Sequence, residues 1–154
     1  MVCLYHENSE KNGRFAPKRY GGGSVQIKES AEMYLETIYT LNMRGGGVRA
    51  VDVATEMSFS KPSVSVAMKN LRQGGYVDIT PEGFLVLTDK GRAIAEMIYE
   101  RHTVLSQILM ALGVEEKTAA EDACRMEHVI SPESFAAVKA FYETHLKNKK
   151  TPSL

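Results

Sequence analysis

Apolar positions recur at helical spacing along most of this chain and give way to strand-like runs once, near its middle. From Ser30 to Met43, the residues Ala31, Tyr34, Leu35, Ile38 and Leu41 form one apolar stripe, and Gly45-Gly46-Gly47 ends the helix they predict. Ser30 is its candidate N-cap. Met33, Glu36, Thr37 and Thr40 fall on the opposite side. Val48 begins a short extended piece, followed by a helix near Val51–Met57, a tight connection, and a second helix capped by Ser60 with Pro62 in its first turn. Val64, Ala67, Met68 and Leu71 supply the buried face of that second helix, and Gly74-Gly75 terminates it.

Tyr76–Thr80 and Phe84–Leu87 then read as a hairpin across Pro81-Glu82-Gly83. Thr88 caps a long helix reaching Leu112 and stopping at Gly113, with Ile94, Ile98, Leu105, Leu109 and Leu112 on its stripe and His102 at the same period. A helix over about Glu115–Val129 follows, with a narrow seam of Ala119, Ala123, Met126 and Ile130. Cys124, Glu127 and His128 form a stripe beside that seam, facing a neighbouring gap. Ser131-Pro132-Glu133 opens the last helix, whose Phe135, Val138, Phe141 and Tyr142 exceed what so short a C-terminal portion can bury alone. Pairing across a twofold axis is the natural remedy.

The predicted fold is therefore mainly α with a small β wing. A winged helix-turn-helix DNA-binding domain (25–93) precedes a helical metal-binding and dimerisation domain (94–147), with a flexible basic tail at 1–24 and a short tail at 148–154. The formal net charge is zero, but its distribution divides the chain. Lys61, Lys69 and Arg72 stand without an acid between Ser58 and Val77, whereas acids dominate Glu115 to Glu133. Two cysteines, Cys3 and Cys124, make no disulfide framework. There is neither a signal-peptide core nor an apolar run of the roughly 18 residues needed to span a bilayer, so a cytoplasmic protein is expected.

Ser60, Ser63 and Ser65 at the start of the second helix, with Lys69 and Arg72 further along, suit insertion into the major groove of double-stranded DNA. Pro62 and Ser63 are candidates for base contacts, and Ser60, Ser65, Lys69 and Arg72 for phosphates. In Cys124-Arg125-Met126-Glu127-His128, a thiol, a carboxylate and an imidazole at i, i+3 and i+4 offer mixed soft and hard donors, pointing to a first-row transition metal rather than Mg2+ or Ca2+. Met33, Glu36 and His102 each have an ordinary alternative: packing, a solvated surface and a core histidine. An enzyme with Cys124 as nucleophile and His128 as base lacks an orienting partner and an oxyanion loop. Cys3 and His6, two donors on a tail, read as bystanders.

Ser30-Ala31-Glu32-Met33-Tyr34-Leu35-Glu36-Thr37-Ile38-Tyr39, the winged helix, Arg101-His102 and Cys124-Arg125-Met126-Glu127-His128-Val129 together resemble the diphtheria toxin repressor family of metal-dependent regulators. The resemblance covers about Ser30 to His145. It implies a homodimeric cytoplasmic repressor with a divalent metal as co-repressor for palindromic operators of metal-homeostasis genes. It also implies a site from Met33, Cys124, Glu127 and His128, as in the iron-sensing branch, with Glu36 and His102 matching ligands of the manganese-sensing branch. The iron branch's second site departs here, with Ser106 and Ala120 at two of its ligand positions, and a chain ending at Leu154 lacks that branch's C-terminal SH3-like domain. A thioether and a thiolate favour Fe2+, Co2+, Ni2+ or Zn2+ over Mn2+; Fe2+ is the expected ion, with Mn2+ the alternative because Glu36 and the short architecture resemble the manganese-sensing branch. A metal-independent winged-helix DNA-binding protein is the remaining alternative.

Overall fold

The computed structural model describes residues 28–147, so the expected tails and Cys3 and His6 lie outside the described residues. The elements run α1 (Glu29–Met43), α2 (Ala50–Met57), α3 (Lys61–Gln73), β1 (Val77–Ile79), β2 (Leu85–Leu87), α4 (Asp89–Ala111), α5 (Glu116–Met126) and α6 (Pro132–His145). Mainly helical architecture with one two-stranded wing is the expected fold.

Ser30 does not cap α1. Lys28 takes the N-cap position without a side-chain bond, and the Glu29 and Glu32 carboxylates in the first turn oppose the positive end of the helix dipole instead. Past Met43, Gly45 and Gly46 turn the chain at φ +89° and +82°. Val48 then lies along the hairpin, its carbonyl accepting from Leu85 N–H at 2.7 Å. Ser58, at φ 55°, ends α2 in the left-handed conformation. Ser60 caps α3 through the Ser63 N–H, with Pro62 in the first turn where its missing N–H is harmless.

The hairpin pairs Val77 with Leu87, Asp78 with Val86 and Ile79 with Leu85, so each strand is shorter than its apolar run. Val77, Leu85 and Leu87 turn inward, joining Leu35, Ile38, Val53, Val64, Met68 and Leu71 in one core beneath α1, α2 and α3. Thr37, expected on the outer face of α1, is buried, its hydroxyl donating to the Met33 carbonyl at 2.8 Å. The face of α1 that looked free from sequence is covered by α4.

Thr88 joins wing to long helix. Its hydroxyl accepts from Gly91 N–H and donates to the Gly75 carbonyl at 2.7 Å, while its own N–H donates to the Tyr76 carbonyl. Gly91 permits this close seating, since a Cβ there would lie 2.0 Å from the Tyr76 carbonyl oxygen. Beyond it, α4 packs against α1, α5 and α6.

Two expectations for the C-terminal part need correction. α5 ends at Met126, so Glu127 and His128 belong to the turn that follows it rather than to a helix running to Val129. Met126 is exposed and Ile130 half-buried, whereas Ala119, Ala123, Cys124 and Glu127 are buried. The donors therefore lie on the packed face itself, not on a stripe beside it. Ser131 caps α6, and Phe135 is its one buried residue. Phe141 (52% exposed), Leu112 (76%) and Val129 (74%) leave an apolar skin on this half.

Gly91→Ala should destabilise the fold by about 1–3 kcal/mol, because the added methyl must push α4 off the wing. Urea denaturation of the metal-free protein checks this.

Candidate metal centre and DNA-facing helix

Two helices and a turn bring acids and imidazoles together where α1 meets α4 and the end of α5. Glu36 comes from α1, His102 from the middle of α4, and Glu127 from the turn after α5. One donor atom of each lies within 4.8 Å of the others, and among the described residues this is the group of three such donors. All three were candidates from sequence.

Glu127 is the centre. Its side chain is fully buried, with Oε2 2.9 Å from His102 Nδ1 and Oε1 3.3 Å from His128 Nε2. The second contact lacks hydrogen-bond geometry, which leaves Glu127 Oε1 and His128 Nε2 as buried polar atoms without a hydrogen-bond partner. Such orphans are costly unless something satisfies them, and a cation between carboxylate and imidazole does so. The residues present therefore fit a divalent metal.

The turn bearing Glu127 is held from behind. Buried Arg101 donates from Nη1 to the Glu127 carbonyl at 2.9 Å and more weakly to the Ile130 carbonyl at 3.4 Å. The other face of His128 meets α1, with Nδ1 2.9 Å from Glu32 Oε2. Sequence reading assigned no role to either Arg101 or Glu32. The available clue for Glu32 was its place one turn before Glu36, which puts both carboxylates on one side of α1.

The remaining candidates flank the group. Cys124 is buried one turn before Glu127, outside the three-donor group. Met33 is half-buried against the N-terminal core. Ser106 is buried with its hydroxyl unpartnered, and Ala120 brings no donor side chain.

Burial opposes the charge on His128, but its contacts with Glu127 and Glu32 outweigh that and push its pKa from 6.5 to about 10. Both ring nitrogens of the metal-free protein therefore carry protons at neutral pH.

On α3, Val64, Met68 and Leu71 are buried, and Ser60, Pro62, Ser63, Ser65, Lys69 and Arg72 are all exposed. Ser60 is engaged as a cap and shares a 2.8 Å hydroxyl contact with Ser63. At 60% exposure, Val66 shares the outward stripe with Pro62, Lys69 and Gln73. Its spacing from Val64 and Leu71 places it on the opposite side of α3, the one sequence signal that marks it as outward-facing. An apolar group on that stripe suits a thymine methyl.

A raised folded-state pKa means that stability from the His128 charge is fully present below the unfolded value of 6.5 and lost as pH rises through about 10. The melting temperature of the metal-free protein should accordingly fall between pH 7 and pH 10, and the fall should be smaller in His128→Gln. Scanning calorimetry of both across that window measures the difference.

Two family profiles match consecutive parts of the chain. Iron dependent repressor, N-terminal DNA binding domain, covers residues 26–85. Iron dependent repressor, metal binding and dimerisation domain, covers residues 88–150. The transcriptional regulator MntR of Salmonella typhimurium is 34% identical over 118 residues, 77% of this chain and 75% of that one. The diphtheria toxin repressor of Corynebacterium efficiens is 32% identical over 108 residues, 70% of this chain and 47% of that one. Among solved structures, the manganese regulator SloR matches with a TM-score of 0.66 at 29% identity, over 73% of this chain and 53% of SloR. With the helix-turn-helix and Glu36 in the first matched segment and His102, Glu127 and His128 in the second, the chain belongs to the iron-dependent repressor family that includes the diphtheria toxin repressor, and is a metal-dependent transcriptional repressor, not an enzyme.

Proposed function

We propose that this repressor acts as a cytoplasmic homodimer binding a palindromic operator of metal-homeostasis genes when a divalent ion occupies the Glu36–His102–Glu127 centre. Met33, Cys124 and His128 are its further ligands. The observation that carries this reading is the origin of the donors. Glu36 belongs to α1 of the DNA-binding part, whereas His102 and Glu127 belong to the metal-binding and dimerisation part.

Electrostatics explains why the join responds to metal. Glu36 and Glu127 are like charges at close range, and in a buried setting they repel more strongly than in water. A bound divalent cation supplies the positive charge that makes both carboxylates attractive to one centre. The chain's own share is to hold Glu127 through Arg101, to seat His102 on the middle of α4, and to carry Glu36 on a helix packed into the DNA-reading core. A ligand shifts such an equilibrium only by its preference for one arrangement, and here the joined arrangement offers all three donors. Exposed apolar Leu112, Val129 and Phe141 are candidates for the dimer contact, which would set two α3 helices near one or a multiple of a DNA turn, about 34 Å.

Soft sulfur from Cys124 and Met33 favours Fe2+ and the later first-row ions over Mn2+, and Fe2+ is the first reading for the co-repressor. Mn2+ is the second reading, supported by the three-donor group being carboxylate, imidazole and carboxylate, a harder set than the sulfur residues suggest.

Anaerobic titration of the metal-free protein with Fe2+ and Mn2+ tests both readings, using fluorescence anisotropy on a duplex selected from a random pool by the metal-loaded protein. DNA affinity should rise at least about tenfold with the cognate ion, within the usual span of allosteric coupling, and Glu127→Gln should abolish the response. Equal affinity with and without metal would refute the proposal. On the DNA side, Lys69→Ala should reduce the slope of log affinity against log salt by about 1 if Lys69 meets a phosphate.

A further inference from the structure

Glu32 touches the site without belonging to the three-donor group. It lies one turn before Glu36 on α1, and its Oε2 stands 2.9 Å from Nδ1 of His128, a residue otherwise packed at the end of α5. The His128 side chain is 2% exposed and that of Glu32 17%, so the contact is largely shielded from solvent. The imidazole is thus gripped on both edges. Nδ1 faces Glu32, while Nε2 faces Glu127 Oε1 at 3.3 Å and has no hydrogen-bond partner. Turning the ring over would exchange Nδ1 for a carbon and forfeit the Glu32 bond.

We propose that Glu32 is a positioning residue for the metal centre, fixing His128 with Nδ1–H on the Glu32 carboxylate so that Nε2 is presented to the ion beside Glu127. Two physical consequences follow. Carboxylates that accept from the outer N–H of a ligating imidazole lock its tautomer and raise the basicity of the other nitrogen. The carboxylate also comes from the DNA-binding part, so α1 acts on the centre twice: directly through Glu36, and through His128 by way of Glu32. Because linkage is reciprocal, whatever shifts α1 on DNA binding alters metal affinity by the same factor as metal alters DNA affinity.

This inference rests on the metal role proposed above, and its test separates the two. The probe is Zn2+, diamagnetic and compatible with the same donors, measured by competition with a chromophoric chelator and by 15N-resolved NMR of the imidazole groups. The Zn2+-loaded wild type should show a slowly exchanging His128 Nδ1–H with Nε2 metal-bound. Glu32→Gln, which keeps an acceptor oxygen, should retain that proton and bind Zn2+ within about threefold of wild type, whereas Glu32→Leu and Glu32→Ala should lose the proton and bind about 10–100-fold more weakly. Two variants without an acceptor, one of similar bulk, keep the comparison available if either fails to fold. Wild-type affinity and a retained Nδ1–H in Glu32→Leu or Glu32→Ala would overturn the positioning role alone. A Gln variant as impaired as Leu and Ala would also overturn it, since that pattern belongs to a direct ligand. No Zn2+ binding by the wild type would overturn both the metal role and this inference.

Discussion

A carboxylate with no exposed surface is an expensive thing to place in a protein, and the lower half of this one is arranged around Glu127. Charge removed from water must be met by opposite charge or by hydrogen bonds, or the group takes up a proton. Here His102 meets one oxygen, His128 approaches the other, and Arg101 fixes the backbone that carries the side chain. The three come from α4 and from the turn after α5, so the packing of those elements and the neutralisation of Glu127 form one constraint. That dependence also explains the end of α5. The Glu127 and Ile130 carbonyls are drawn to the Arg101 guanidinium where helix gives way to turn.

The same group links the two halves of the chain. α1 is built into the hydrophobic core that supports α3, yet it turns Glu32 and Glu36 toward His128, His102 and Glu127. One of these meetings pairs opposite charges in the absence of metal, Glu32 with protonated His128, and the other brings two carboxylates, Glu36 and Glu127, around one imidazole, His102. The junction thus concentrates charge of one sign from both halves, a setting in which one added cation interacts strongly with each of them.

Local chemistry was the part of this fold most legible in the sequence. Ser60 and Thr88 cap their helices as read, because a hydroxyl before a helical run acts within four residues. Ser30 failed as a cap because α1 begins at Glu29, which places Ser30 inside the first turn. The face of α5 was misjudged for a different reason. A hydrophobic stripe counts Met126 as core and sets Glu127 beside it, while tertiary pairing with two imidazoles and Arg101 buries Glu127 and Met126 is left exposed. Glu36, His102 and Glu127 were identifiable as donor types, but their meeting is a tertiary fact. The Glu32–His128 pair joins residues 96 apart and leaves no periodic trace.

The tight seating of Gly91 beneath Tyr76 makes α4 a lever with its pivot at the wing. His102 lies eleven residues beyond that pivot, about 16 Å along the axis at 1.5 Å per residue, so a tilt of about 10° there would carry the imidazole on the order of 3 Å, more than a metal–ligand bond length. A contact made entirely of backbone and a missing methyl thus sets the aim of a side chain it never touches. The placing of a donor in the middle of α4 thus begins at a glycine eleven residues before it.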